Sequence, residues 1–289
     1  MPTLRSATSS RVRGALSTDE GSTVELPHAS GKAIRMTRLF RHGDGRCLMV
    51  PIDHSLSDGP VASAGQLQEL ANTVVAHGAD AIVLHKGRVQ ALRSGAFSEA
   101  ALIVHLSAST MHNSDKDAKV LVGSAEDALR MGADAVSVHV NIGSATEAKQ
   151  LADLGAIASA CDTWNLPLLA MIYPRGPRIT EPRDVALLSH VVNIAADLGA
   201  DLVKTLCTLH PEQMSQVVES CPVPVLIAGG SGDTSEEDFL DTARITIAAG
   251  CGGLAVGRRV FGSADPAKLV RKLSDIIHPV LDPALTMHA

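Results

Sequence analysis

The phrase Gly-Ala-Asp occurs three times, as Gly78-Ala79-Asp80, Gly132-Ala133-Asp134 and Gly199-Ala200-Asp201, each time between an amphipathic stretch and a short apolar run. Glycine just past a helix supplies the left-handed residue that lets the chain turn. Each phrase therefore predicts the same order of helix, turn and strand, and one supersecondary unit used repeatedly restricts the fold sharply. Apolar runs dense in Val, Ile and Leu fall at 47–52, 81–84, 102–106, 135–140, 168–173, 201–205, 223–228 and 253–256. Amphipathic stretches lie between them at 64–77, 125–131, 147–165 and 184–198. The runs do not alternate with polar residues, which is how strands buried on both faces of a parallel sheet read. Eight such runs predict an α/β chain forming one (β/α)8 (TIM) barrel over residues 34–289. An open doubly wound sheet is the alternative, and the absence of G-x-G-x-x-G after the first run weakens it. Residues 1–33, rich in Ser, Thr, Gly and Arg without sustained periodicity, are expected to form a flexible N-terminal extension.

Composition narrows the function. Lys plus Arg total 25 against 31 Asp plus Glu, so no basic excess points to nucleic acid. Aromatic residues make up 2% of the chain, too few for base-stacking platforms. No apolar run is long enough to span a membrane, and the first ten residues lack the apolar centre of a secretory signal. The five cysteines are scattered without a C-x-x-C pair, the pattern of reduced, buried thiols in a cytoplasmic protein. The twelve histidines show no H-E-x-x-H or paired His/Cys spacing, so no metal and no other cofactor is expected.

In a (β/α)8 barrel, reactive groups gather at the carboxyl ends of the strands. Those ends carry Asp53-His54, His85-Lys86, His139-Val140-Asn141, Tyr173-Pro174-Arg175, Lys204-Thr205, Gly229-Gly230-Ser231-Gly232 and Gly257-Arg258. Lys204 is either a salt-bridge partner of Asp53 or a neighbouring carboxylate, or an amine nucleophile whose pKa desolvation lowers toward neutrality. Lys86 is the rival amine. Asp53 is either a turn cap or a proton acceptor aimed at the barrel mouth. Tyr173 either satisfies a backbone group or moves protons, and Arg175 either overlooks the mouth or solvates a loop. Gly229, Gly230, Ser231 and Gly257 follow the last two runs, where barrels bind phosphate through backbone N–H groups, and Arg258 adds a permanent charge. His54 and His139 are expected to line the mouth, as is Asn141.

The set Asp53-His54…Gly59-Pro60, Tyr173-Pro174-Arg175-Gly176, Val203-Lys204-Thr205, Gly229-Gly230 and Gly257-Arg258 resembles the class I aldolases of the archaeal-type fructose-bisphosphate aldolase superfamily. Within that group, 138–143 and 170–173 look most like the 2-amino-3,7-dideoxy-D-threo-hept-6-ulosonate synthases and their bacterial secondary-metabolism relatives. Fructose-bisphosphate aldolases typically carry Trp where this chain has Met171. The resemblance implies Lys204 as the Schiff-base lysine, Tyr173 as proton donor and acceptor, Asp53 as its carboxylate partner, and a phosphate held by Gly229, Gly230, Ser231, Gly257 and Arg258. It also implies a ketose-phosphate donor, L-aspartate 4-semialdehyde as acceptor, no metal and a homo-oligomer. Gly232 stands where many relatives have Lys, which removes a cation from the phosphate site. A sugar-phosphate aldolase and a non-catalytic phosphosugar-binding barrel are the rival readings.

Overall fold

The computed structural model describes residues 30–230 and 234–279. Ten strands follow in chain order: β1 (Cys47–Pro51), β2 (Ala81–Leu84), β3 (Ala101–His105), β4 (Ser107–Ala108), β5 (Val120–Leu121), β6 (Ala135–Ile142), β7 (Leu168–Pro174), β8 (Leu202–Thr205), β9 (Val225–Ala228) and β10 (Gly253–Ala255). Eight of them close a parallel barrel in the order β1-β2-β3-β6-β7-β8-β9-β10, with β10 paired back to β1. Each of the eight expected runs supplies one barrel strand. The remaining two, β4 and β5, form an antiparallel ribbon that leaves the barrel after β3. Sequence reading did not anticipate this ribbon, because two-residue strands leave no periodic signal.

Alternation sorts the side chains. Met49, Val83, Ile103, Leu169, Leu202 and Leu226 fill the barrel interior. Their neighbours Leu48, Ile82, Leu102, Leu168, Val203 and Val225 face outward into a second core beneath the helices. The barrel strands are thus covered on both faces, and their runs read as continuous apolar segments.

The three Gly-Ala-Asp phrases have one geometry. Gly78, Gly132 and Gly199 sit at φ of +109°, +80° and +96°, a conformation that L side chains resist. Each aspartate then clamps the preceding strand twice. Its N–H donates to the carbonyl of Leu48, Leu102 or Leu168, and its Oδ2 accepts from the N–H of that same residue, at 2.7 Å for Asp80 and 2.9 Å for Asp134 and Asp201. The other carboxylate oxygen takes a cation from the N-terminal segment. Arg41 reaches Asp80 at 2.6 Å, Arg38 reaches Asp134 at 3.0 Å and Lys32 reaches Asp201 at 3.1 Å. The helix Gly31–Leu39, N-capped by Ser30, is thereby pinned across the end of the barrel opposite the strand carboxyl ends, with Leu39 fully buried. The boundary expected between residues 33 and 34 falls inside this helix, so residues 31–33 belong to a closing element rather than a loose arm. Residues 1–29 lie outside the described residues.

All five cysteines are free. Cys47, Cys161 and Cys251 are buried, while Cys207 and Cys221 are half-buried rather than buried as expected. Burial pushes the thiols of Cys161 and Cys251 up to about 12. Among the described residues, no helix is long and apolar enough to cross a membrane.

Candidate active site

The inward parity of the barrel continues past the strands. Stepping two residues at a time along each strand leads to Asp53, His85, His105, His139, Tyr173, Lys204 and Gly257, which line one cavity of about 340 Å³ at the carboxyl ends of the strands. That volume suits a small metabolite. His54, Arg175, Gly229, Gly230 and Arg258 line the same cavity, so the expected site residues converge there except Ser231 and Asn141, which lies buried behind His139 rather than on the cavity wall. Ser231 lies outside the described residues, as does Gly232.

Lys204 is 8% exposed on β8, paired in register with Met171 on β7. Its ammonium makes no hydrogen bond or ion pair among the described residues, so of its two readings the salt bridge to Asp53 or a neighbouring carboxylate does not form. Asp53 instead has histidines around it. His54 Nδ1 lies 3.2 Å from Oδ1 and His105 Nε2 lies 3.9 Å from Oδ2. Burial alone would raise the Asp53 pKa, but the contact with His54 and the charges of His105, His54 and Lys204 hold it well below the usual carboxylate range. Asp53 is therefore an ionised acceptor at neutral pH. Tyr173 is 4% exposed on β7, two residues further toward the mouth than Met171. Its ring faces His139 at 5.0 Å, and the Arg175 guanidinium stacks over it at 4.7 Å.

The loops after β9 and β10 meet the loop after β1 closely. A Cβ on Gly257 would stand 2.5 Å from the Pro51 carbonyl oxygen and 2.7 Å from His54 Cε1. Gly230, at φ +71°, uses backbone freedom instead. Arg258 is exposed toward the cavity at the start of the short helix Arg258–Phe261. Its neighbour Arg259, absent from the sequence reading, ties the two loops together. It donates to the Gly229 carbonyl at 3.1 Å and to the Thr234 carbonyl at 3.0 Å, over the ring of Phe239.

Sequence reading also missed His105 and Lys119. His105 ends β3, and the alternation Ala101, Ile103, His105 marked it as inward. Its Nδ1 lies 2.8 Å from Ser137 Oγ, and burial pushes its pKa down to about 4, so it is neutral at physiological pH. Lys119 arrives from the β4–β5 ribbon and bonds Ser109 Oγ. Asn141 is buried, and its Oδ1 accepts from His139 Nε2 at 2.9 Å. Lys86, the rival amine, is turned away from the cavity and lies 3.7 Å from Asp127. Among the described residues, His42, Asp80 and His278 are spaced as metal ligands, but at the opposite end of the barrel. There Arg41 already occupies Asp80 Oδ1 and His278 spans Asp44 and Asp80, so the group is an ion-pair network.

Residues 47–263 match the DeoC/LacD family aldolase profile. A 2-amino-4,5-dihydroxy-6-oxo-7-(phosphonooxy)heptanoate synthase from Streptomyces griseus is 49% identical over 247 residues, spanning 86% of this chain and 90% of its own. A 2-amino-3,7-dideoxy-D-threo-hept-6-ulosonate synthase from Archaeoglobus fulgidus is 40% identical over 248 residues, spanning 86% and 91%. Among solved structures, a Schiff-base-forming fructose-1,6-bisphosphate aldolase superposes with a TM-score of 0.78 at 27% identity, over 86% of this chain and 100% of its own. An archaeal fructose-1,6-bisphosphate aldolase, solved with its catalytic Lys bound to the carbinolamine intermediate, superposes with a TM-score of 0.76 at 28% identity, over 86% and 99%. The chain belongs to the DeoC/LacD family of aldolases.

Proposed function

We propose that this protein is a metal-independent class I aldolase joining a ketose phosphate to L-aspartate 4-semialdehyde. The observation that carries the reading is Lys204: a nearly buried amine without an ion pair among the described residues, in one cavity with an ionised carboxylate and a tyrosine. A buried lysine with no partner is costly to keep, and an amine not tied up in an ion pair is available to attack a carbonyl. Lys204 Nζ adds to the donor ketone, water leaves, and the iminium draws electrons from the neighbouring C–H bond. The resulting enamine attacks the aldehyde carbon, and water releases the product and Lys204. Asp53, ionised throughout, accepts the hydrogen bond of the carbinolamine hydroxyl. Tyr173 accepts the proton released from that C–H bond and delivers it to the oxygen of the new alcohol.

The substrates follow from the product that names the Streptomyces griseus relative. Breaking a 2-amino-4,5-dihydroxy-6-oxo-7-phosphonooxy heptanoate between carbons 4 and 5 gives aspartate 4-semialdehyde and dihydroxyacetone phosphate, with all atoms accounted for. The Archaeoglobus fulgidus relative is named for a 3,7-dideoxy product without phosphate, which corresponds to transfer from a deoxy-ketohexose phosphate. The higher identity to the first relative supports dihydroxyacetone phosphate here. Gly229, Gly230, Ser231, Gly257 and Arg258 would hold the donor phosphate. The reading includes a homo-oligomeric enzyme acting in the cytoplasm. Purified protein is tested with dihydroxyacetone phosphate and L-aspartate 4-semialdehyde, with mass spectrometry of the product. A phosphorylated seven-carbon amino acid is expected. Cleavage of fructose 1,6-bisphosphate without that product would replace this reading with the sugar-phosphate aldolase one.

A further inference from the structure

The cavity carries positive charge in two places, and the phosphate loops account for only one of them. Arg258 and the glycine loops follow β9 and β10. Lys119, with Lys116, reaches the cavity from the ribbon that follows β3, and Arg175 reaches it from the end of β7. Lys119 and Arg175 converge on His139, which feels both charges, and Arg175 lies over the face of Tyr173. The surroundings do not neutralise the pair. Asp58, Asp115 and Asp117 are close enough to act on Lys119 through space, yet none lies within ion-pair distance of Lys119 or Arg175 among the described residues. The Lys119 ammonium is held instead by the neutral hydroxyl of Ser109. Burial and the Arg175 charge both push the Lys119 pKa down, so the two cations strain against each other. A part-buried lysine and an exposed arginine stacked on the tyrosine, neither within ion-pair distance of a carboxylate among the described residues, describe a site built for an anion.

We propose that Lys119 and Arg175 bind the carboxylate of the acceptor aldehyde and so select for a charged acceptor over a neutral one. This rests on the aldolase reading above. The enamine on Lys204 needs the aldehyde carbon near Tyr173, and an anion gripped by Arg175 holds the acceptor on that side. Lys116 is exposed at the rim and adds to attraction from a distance.

The test compares Lys119→Met, Lys119→Arg and Arg175→Met with wild type, using L-aspartate 4-semialdehyde and its carboxamide as acceptors. A hydrogen bond to a charged group corresponds to roughly a 10- to 150-fold effect. The Michaelis constant for the acid should rise by about that factor in both Met variants, while that for the carboxamide and that for the donor stay put. Lys119→Arg, which keeps the charge, should recover most of the affinity. Equal losses for acid and carboxamide, or a rise in the donor constant, would overturn the proposal. A preference of wild type for a phosphorylated aldehyde over the acid would assign the same cations to phosphate and overturn the carboxylate. Borohydride trapping with donor alone separates the two readings: an adduct in every variant with unchanged acceptor selectivity sinks only this subsite, whereas no adduct in wild type sinks the aldolase mechanism itself.

Discussion

Gly257→Ala isolates the contact that joins the proposed phosphate loops to the loop carrying Asp53. The added methyl would stand 2.5 Å from the Pro51 carbonyl oxygen, 0.9 Å short of the 3.4 Å where ordinary contact begins. On its other side His54 Cε1 waits at 2.7 Å. The backbone φ of −100° is open to any residue, so the penalty is purely steric. Neither neighbour yields cheaply, since one is backbone and the other packs beside Asp53. Forced overpacking of this kind costs about 1–3 kcal/mol. At roughly 2–4 °C per kcal/mol for a domain of this size, the melting temperature should fall by about 2–12 °C. Function should suffer more than stability, because the methyl pushes the donor phosphate away from Lys204, and misplacement by about 1 Å is worth on the order of 100-fold in rate. Thermal melts and steady-state kinetics on the same preparation read both effects. Gly65→Ala is the control: its added Cβ meets nothing within 4 Å in a helical first turn, and it should stabilise by about 0.4–1 kcal/mol. A Gly257→Ala protein with wild-type melting temperature and kinetics would refute the reasoning.

Three further outcomes are expected. Asp80→Ala removes a fully buried carboxylate shared by the Leu48 N–H, Arg41 and His278, and should cost about 3–5 kcal/mol, more than Asp201→Ala at its half-exposed site; urea titration ranks them. The contacts of His278 with Asp80 and Asp44 raise its pKa against the opposing effect of burial, while Asp80 is held low. The His278 contribution is thus fully present below the unfolded histidine value of 6.5 and fades as pH rises through the folded one. The gap in melting temperature between wild type and His278→Gln should therefore be widest near pH 6 and narrow by pH 9, and a constant gap would contradict the assignment. Because an iminium supplies the electron withdrawal that a metal supplies in other aldolases, EDTA should leave the rate unchanged, and loss restored by a divalent ion would contradict the mechanism.

The barrel was legible because its signals are local. A two-face apolar run and a Gly-Ala-Asp turn are each set within a few residues, and together they order the whole sheet. The three aspartates show where that legibility stops. Their spacing marked a repeat, but the partners Lys32, Arg38 and Arg41 lie up to 169 residues away, ahead of the first apolar run. At the site, Lys204, Tyr173 and Asp53 stood out as polar groups closing apolar runs. His105 shares the inward parity of Ala101 and Ile103, but the apolar run at 102–106 continues past it to Leu106 and hides it as a strand end. Lys119 had no such signal. It comes from a ribbon of two-residue strands whose position depends on pairing, on the Met111 N–H bond to the Ser57 carbonyl and on the Asn141 and Gln150 bonds to Asp117.

Borohydride reduction in the presence of dihydroxyacetone phosphate, followed by peptide mass spectrometry, tests the central claim most directly. An iminium on a lysine is reduced to a stable secondary amine, whereas a merely bound ligand washes away. The adduct should map to Lys204 in wild type and vanish in Lys204→Arg, which keeps the charge, the fold and the melting temperature but loses activity by several orders of magnitude. An adduct at Lys86, or one that survives in Lys204→Arg, would contradict the account.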